Sequence, residues 1–154
     1  MNDEYRELFR GVEGRKIFRK ACSQEGRSKV WITDIDKNAI SDLPDGIKGS
    51  EVDASSDLAV SGLFDEIRNE WGGLDVVCAN AGIAGPTAAI EDVKLDDWQK
   101  CVAVNLEGAF LAEKYSAPIM KAQKSGAIVL TFSTAGIYGY PNRAPYSAAK
   151  WQIP

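Results

Sequence analysis

An α/β fold, a parallel sheet with helices on both faces, is predicted by three features of the 154-residue chain. Short apolar runs alternate with longer segments of helical period, which is the order of strand–helix–strand units. The runs are continuous rather than alternating, as in LDVVCA at 74–79, the pattern of strands covered on both faces. Turn residues such as Gly72-Gly73, Asn80-Ala81-Gly82 and Gly85-Pro86 separate the segments, with no repeat, low-complexity tract or linker. Residues 1–154 therefore read as a single domain.

Taken in order, residues 1–25 are the least regular. Tyr5, Leu8, Phe9 and Val12 recur at helical spacing, and Ile17, Phe18 and Ala21 resume it after Gly14, predicting helix, glycine break, helix. Gln24-Glu25-Gly26 stops the second helix, and residues 29–33 form a short strand ending at Asp34. A turn at Pro44-Asp45-Gly46 leads to a strand near 48–52, closing on Asp53. Val60, Leu63, Phe64, Ile67 and Trp71 mark one face of a helix that Gly72-Gly73 terminates. Strand 74–79 follows, broken by Asn80-Ala81-Gly82. Trp98, Cys101, Val102, Leu106, Phe110 and Leu111 trace helix towards Met120, and 127–132 is a last strand, read as buried.

Composition narrows the chemistry. A net charge of −4 leaves no basic footprint for nucleic acid or an anionic membrane. No apolar run approaches the ~20 residues of a membrane span. The charged start MNDEYRELFR lacks a signal peptide's apolar core, so a cytoplasmic setting is expected. Three cysteines without C-x-x-C spacing argue against a disulfide framework or a zinc site, and core packing is the expected role of Cys78. The chain has no histidine, so a Ser–His–Asp triad, a Cys–His pair and a His-ligated metal are excluded. Acid–base work falls to Tyr, Lys, Asp or Glu.

One stretch concentrates such residues. Ser133 ends the strand at 127–132, a Gly/Pro/Asn-rich loop follows, and Pro145 opens Tyr146-Ser147-Ala148-Ala149-Lys150. With Pro145 in the first turn of a helix, Tyr146 and Lys150 lie four apart on one face. A phenol ordinarily holds its proton to a pKa of about 10, and a nearby ammonium favours the phenolate. Lys150 would thus make Tyr146 a usable proton donor and acceptor near neutrality, with the Ser133 hydroxyl placed to bond a carbonyl or alkoxide.

The segment, with its Ser thirteen residues before the Tyr, resembles the active-site stretch of the short-chain dehydrogenase/reductase family. The resemblance covers about residues 26–154 and implies a Rossmann-like sheet with hydride transfer between a nicotinamide and a secondary alcohol or ketone. It implies that Tyr146 moves the proton, Lys150 supports it and bonds the nicotinamide ribose, Ser133 orients the carbonyl, and Asn105, in Val104-Asn105-Leu106, holds a relay water. Asp34, twenty residues after Gly14, takes the place of the acid on the adenosine ribose, implying NAD in preference to NADP. Asp53 matches the acid beside the adenine, and Asn80, Ala81 and Gly82 match the family's Asn-Ala-Gly turn. Bland readings sit beside these: Asp34 serving a turn with Asp36 and Asn38, Asp53 capping a helix, Asn80-Ala81-Gly82 as a generic turn. Substrate contacts would come from residues 83–88 and 138–143. A small-molecule alcohol or ketone is the expected partner, with a homo-oligomer typical of the family.

Two departures stand out. The family opens with a strand and a Thr-Gly-x-x-x-Gly-x-Gly loop that holds pyrophosphate. Setting Gly14 as its last glycine puts Leu8 and Val12 at the other two. The chain also stops four residues past Lys150, so the fold is expected to be incomplete at both ends, with a degenerate first strand and no C-terminal strands. The chain by itself is then expected neither to bind NAD usefully nor to turn over. A catalytically incompetent fragment or interaction module, and a sugar-nucleotide epimerase or dehydratase sharing Tyr-x-x-x-Lys, are the alternative readings.

Overall fold

The computed structural model describes residues 5–10, 28–41 and 43–152. Five strands make its sheet: β1 (Tyr5–Arg10), β2 (Ser28–Asp34), β3 (Ile47–Glu51), β4 (Val76–Ala79) and β5 (Ala127–Leu130). All neighbours pair in parallel, in the order β3-β2-β1-β4-β5. Helix α1 (Asp57–Trp71) joins β3 to β4. Between β4 and β5 run α2 (Leu95–Val102), a π turn (Ala103–Glu107) and α3 (Gly108–Gln123), and α4 (Ala144–Trp151) follows β5. Strand order reverses between β1 and β4, the switch point at which doubly wound sheets bind ligands beyond the carboxyl ends of their strands.

The helical reading of the first residues is corrected here. Tyr5–Arg10 is the sheet's central strand, with Leu8 in register with Trp31 of β2 and Val77 of β4. Six residues are too few for a period of 3.6 to be told from an apolar strand. The slot between β2 and β4 offers a hydrogen-bond ladder on both sides. Leaving those edges empty would cost about 1–3 kcal/mol for each buried, unpaired backbone group. Strands β2 and β4 thus share β1 as their common neighbour. Gly14 and the helix expected at 17–21 lie outside the described residues.

The remaining elements follow their sequence signals closely. Ser56 caps α1 by accepting the Ala59 N–H, and Gly72 ends it at φ +70°, a left-handed conformation that glycine takes without strain. The apolar stripe Val60, Leu63, Phe64 and Ile67 packs with Leu111, Ala112, Ile119 and Met120 of α3 over Trp31 and Val77. Val30, Ile32 and Cys78 point to the other face and pack with Ile40, Leu43 and Ile47. Both faces of β2 and β4 are therefore buried, which explains their unbroken apolar runs.

One strand limit and one burial pattern differ from expectation. The fourth strand starts at Val76 rather than 74, because the Gln123 side chain replaces the ladder at Leu74. Its Oε1 accepts the Leu74 N–H at 2.6 Å, and its Nε2 donates to the Leu74 carbonyl at 2.9 Å. The last strand was expected to be buried, yet it alternates between exposed and half-buried positions, with Val129 46% exposed. Among the described strands β5 has only β4 beside it.

Candidate active site

The carboxyl ends of β2, β4 and β5 open on one cleft of about 800 Å³. It is lined by Asp34, Asp53, Asn80, Ala81, Gly82, Asn105, Ser133, Tyr146 and Lys150, every sequence-predicted site residue except Gly14. The cleft has a direction. Asp34 and Ser133 follow strands three places apart, roughly 14 Å across the sheet at ~4.8 Å per strand.

At the β2 end, Asp34 is buried and its Oδ1 accepts the Asp36 N–H at 2.9 Å, while Asp36 in turn accepts the Asn38 N–H. The turn-bracing role and a place in the cleft are thus combined in one side chain. Asp53 accepts both the N–H and the hydroxyl of Ser55. The cap of α1 is Ser56, so the reading of Asp53 as that cap is not what the structure has.

At the β4–β5 end three motifs lock together. The Asn105 Nδ2 donates to the Cys101 carbonyl at 2.8 Å and to the Ile83 carbonyl at 2.9 Å. The first bond ties the π turn, an irregularity that often marks a functional site, back to the end of α2. The Asn105 Oδ1 is buried with no protein partner among the described residues. A Cβ added to Gly82 would sit 2.7 Å from that oxygen, so the turn after β4 needs glycine where α2–α3 presses on it. Thr131, which sequence reasoning passed over, joins the other two motifs. Its carbonyl accepts from Lys150 Nζ at 2.9 Å and its hydroxyl donates to Asn80 Oδ1 at 2.8 Å. The available signal was a threonine interrupting the apolar run at 127–132.

Burial pushes the Lys150 ammonium below the ordinary lysine pKa, an effect partly offset by Cys101 beside it. Burial likewise pushes the Cys101 thiol up, against the Asn105 hydrogen bond and the charges of Lys150 and Arg143. Cys101 is therefore a packed neutral thiol rather than a nucleophile. Ser133 Oγ accepts the Ala135 N–H at 3.2 Å, which turns the hydroxyl's own proton away from the backbone.

Gly136 sets how closely α4 approaches Ser133. A Cβ there would lie 2.5 Å from the Lys150 carbonyl oxygen and 2.7 Å from its carbon. Both are backbone atoms that move only with the helix. Gly136→Ala should therefore destabilise the chain by about 1–3 kcal/mol, the usual range for overpacking, read as a lower denaturant midpoint. An unchanged midpoint would show that α4 is not seated against this turn.

The model of the short chain dehydrogenase family matches residues 14–153. The chain belongs to this family. Cis-4-hydroxycyclohexanecarboxylate dehydrogenase of Sinomonas cyclohexanicum is 39% identical over 98 residues, covering 64% of this chain and 39% of that protein. An uncharacterised oxidoreductase of Thermotoga maritima is 35% identical over 131 residues, 82% of this chain and 52% of that one. Among solved structures, NAD+-bound xylitol dehydrogenase superposes with a TM-score of 0.88 at 27% identity, over 99% of this chain and 62% of the other. The chain thus spans about half, or less, of the length of the curated relatives it matches. No helix among its described residues is long and apolar enough to cross a membrane.

Proposed function

We propose that this chain carries the cofactor cleft and proton-transfer groups of an NAD-preferring oxidoreductase that interconverts a secondary alcohol and a ketone. The observation that carries the reading is the single cleft joining Asp34 at one end to Ser133, Tyr146, Lys150 and Asn105 at the other. The described residues fit a dinucleotide: carboxylates for hydroxyl groups at one end, an ammonium and an unpartnered amide oxygen at the other. When bound, NAD supplies the hydride acceptor. Gly14 is proposed for its pyrophosphate, Asp34 for its adenosine ribose, Asp53 for its adenine, and Asn80, Ala81 and Gly82 for close backbone approach.

Tyr146 removes the hydroxyl proton of the alcohol, or returns it to the ketone in reverse. Ser133 donates its free proton to the same oxygen, since its acceptor side is already used by Ala135. The Lys150 ammonium has three donors and spends one on Thr131, leaving two for the ribose hydroxyls and for a relay water. That water would be held by the unpartnered Asn105 oxygen.

Cofactor choice tests the reading at its other end. A buried carboxylate facing a 2′-phosphate repels it and cannot pair with it. The kcat/KM with NAD should exceed that with NADP by at least about tenfold, or 1.4 kcal/mol, and Asp34→Ser should shrink the ratio. Equal values in the unsubstituted protein would show that a cation such as Lys37 overrides the acid.

A further inference from the structure

The charges lining the cleft are sorted. Its acids, Asp34 and Asp53, stand beyond β2 and β3. Its cations, Lys100, Arg143 and Lys150, stand on α2 and on the segment running into α4, and no described acid lines that end. Lys150 is tied to Thr131. Arg143 is different: it sits half-buried at the start of α4, three residues before Tyr146. Arg143 and Tyr146 line the same cleft.

The Arg143 side chain reaches the loop that follows β4. One terminal nitrogen donates to the Ala84 carbonyl at 3.1 Å, and the same two loops are joined by the Ala88 N–H to the Asn142 carbonyl at 3.0 Å. Asn142 holds φ +59°, a left-handed conformation that asparagine tolerates better than most residues. A guanidinium has five N–H donors, of which Ala84 takes one. Among the described residues no carboxylate pairs with Arg143. A pre-positioned, partly desolvated guanidinium with most donors unspent matches a carboxylate, which it can take in a two-point contact. If the residue served only to latch the loops, one donor would suffice, and the backbone pair already joins them.

We propose that the substrate of this oxidoreductase is a hydroxy acid or oxo acid whose carboxylate pairs with Arg143 while its alcohol or ketone carbon faces Tyr146 in the same cleft. Lys100 adds positive charge at the same end of the cleft. The proposal rests on the alcohol–ketone reading and adds the charged group that the substrate carries.

Titration of the 154-residue chain with cyclohexanecarboxylate and with cyclohexanecarboxamide, nearly equal in shape and different in charge, tests it without turnover. Binding is followed by NMR at the arginine Nε–H resonances, with Arg143→Lys identifying the signal. The carboxylate should bind at least about tenfold more tightly than the amide, as expected for a charge-assisted pair over a neutral one, and should move the Arg143 signal. Arg143→Gln should lose that preference, while Arg143→Lys should keep part of it. Equal binding of acid and amide, no saturable binding of the acid below 10 mM, or a preference surviving in Arg143→Gln would each overturn the proposal. The comparison of acid with amide on the unsubstituted chain needs no variant to fold. In a kinetic comparison, neutral secondary alcohols turned over as well as hydroxy acids would sink this inference and leave the alcohol–ketone reading standing. A retained carboxylate preference without any NAD-linked oxidation would do the reverse.

Discussion

Tyr146→Phe should lower turnover by about 10²–10⁴, the usual contribution of a positioned acid–base group, while leaving NAD affinity nearly unchanged. The substitution removes one oxygen from a half-buried ring and leaves the helix packing of α4 in place. The groups proposed for the adenosine end, Asp34 and Asp53, lie across the sheet and do not depend on it. The loss should therefore fall on kcat, because the phenol acts on the proton that moves in the transition state. Steady-state kinetics and a cofactor titration on the same variant separate the two effects. Turnover within a few fold of the unsubstituted protein would remove Tyr146 from the chemistry.

The largest effect on folding is expected at Asn105. Its side chain is almost fully buried and feeds two carbonyls, those of Ile83 and Cys101, from one nitrogen. Asn105→Leu keeps the branched shape and the number of heavy atoms and removes the donor, so both acceptors lose a partner. At about 1–3 kcal/mol for each orphaned group, offset in part by the leucine's burial, the net loss should be about 2–4 kcal/mol. Against a typical domain stability of about 5–15 kcal/mol that is a large share. The loss would also free the turn containing Gly82, which rests on Asn105, and the π turn, which the Cys101 bond supports. Chemical denaturation would measure it. A midpoint unchanged within error would mean that Asn105 is dispensable to the fold and only its place in the cleft matters.

Much of the site was legible because its residues are held by local rules. Pro145 starts α4 and thereby sets Tyr146 and Lys150 one turn apart, and Gly72 ends α1 where the left-handed cap falls. Strands β2 and β4 were marked by apolar runs that end on Asp34 and at Asn80, and β3 by the turn before it and Asp53 after it. What escaped notice depends on partners distant in sequence. Tyr5–Arg10 shows a helical period in isolation and becomes a strand because β2 and β4 flank it. Thr131 matters only once Asn80 and Lys150 are brought to it, and Gly136 only once α4 folds back on it. The half-exposure of β5 could not be read from its composition, since an apolar run says what a strand could bury and not what lies against it.

Titration of the purified 154-residue chain with NADH, followed by fluorescence or calorimetry, probes the proposed cleft most directly and needs no substrate. The expectation that the chain fails to bind NAD rested in part on a degenerate first strand. Strand β1 occupies the slot between β2 and β4, and Asp34 and Asn80 line one cleft, so the expectation is reversed here. Saturable NADH binding is expected, weaker for NADPH by at least about tenfold because of the Asp34 carboxylate. No saturable binding of either nucleotide, or equal affinity for both, would contradict the assignment of this cleft to NAD.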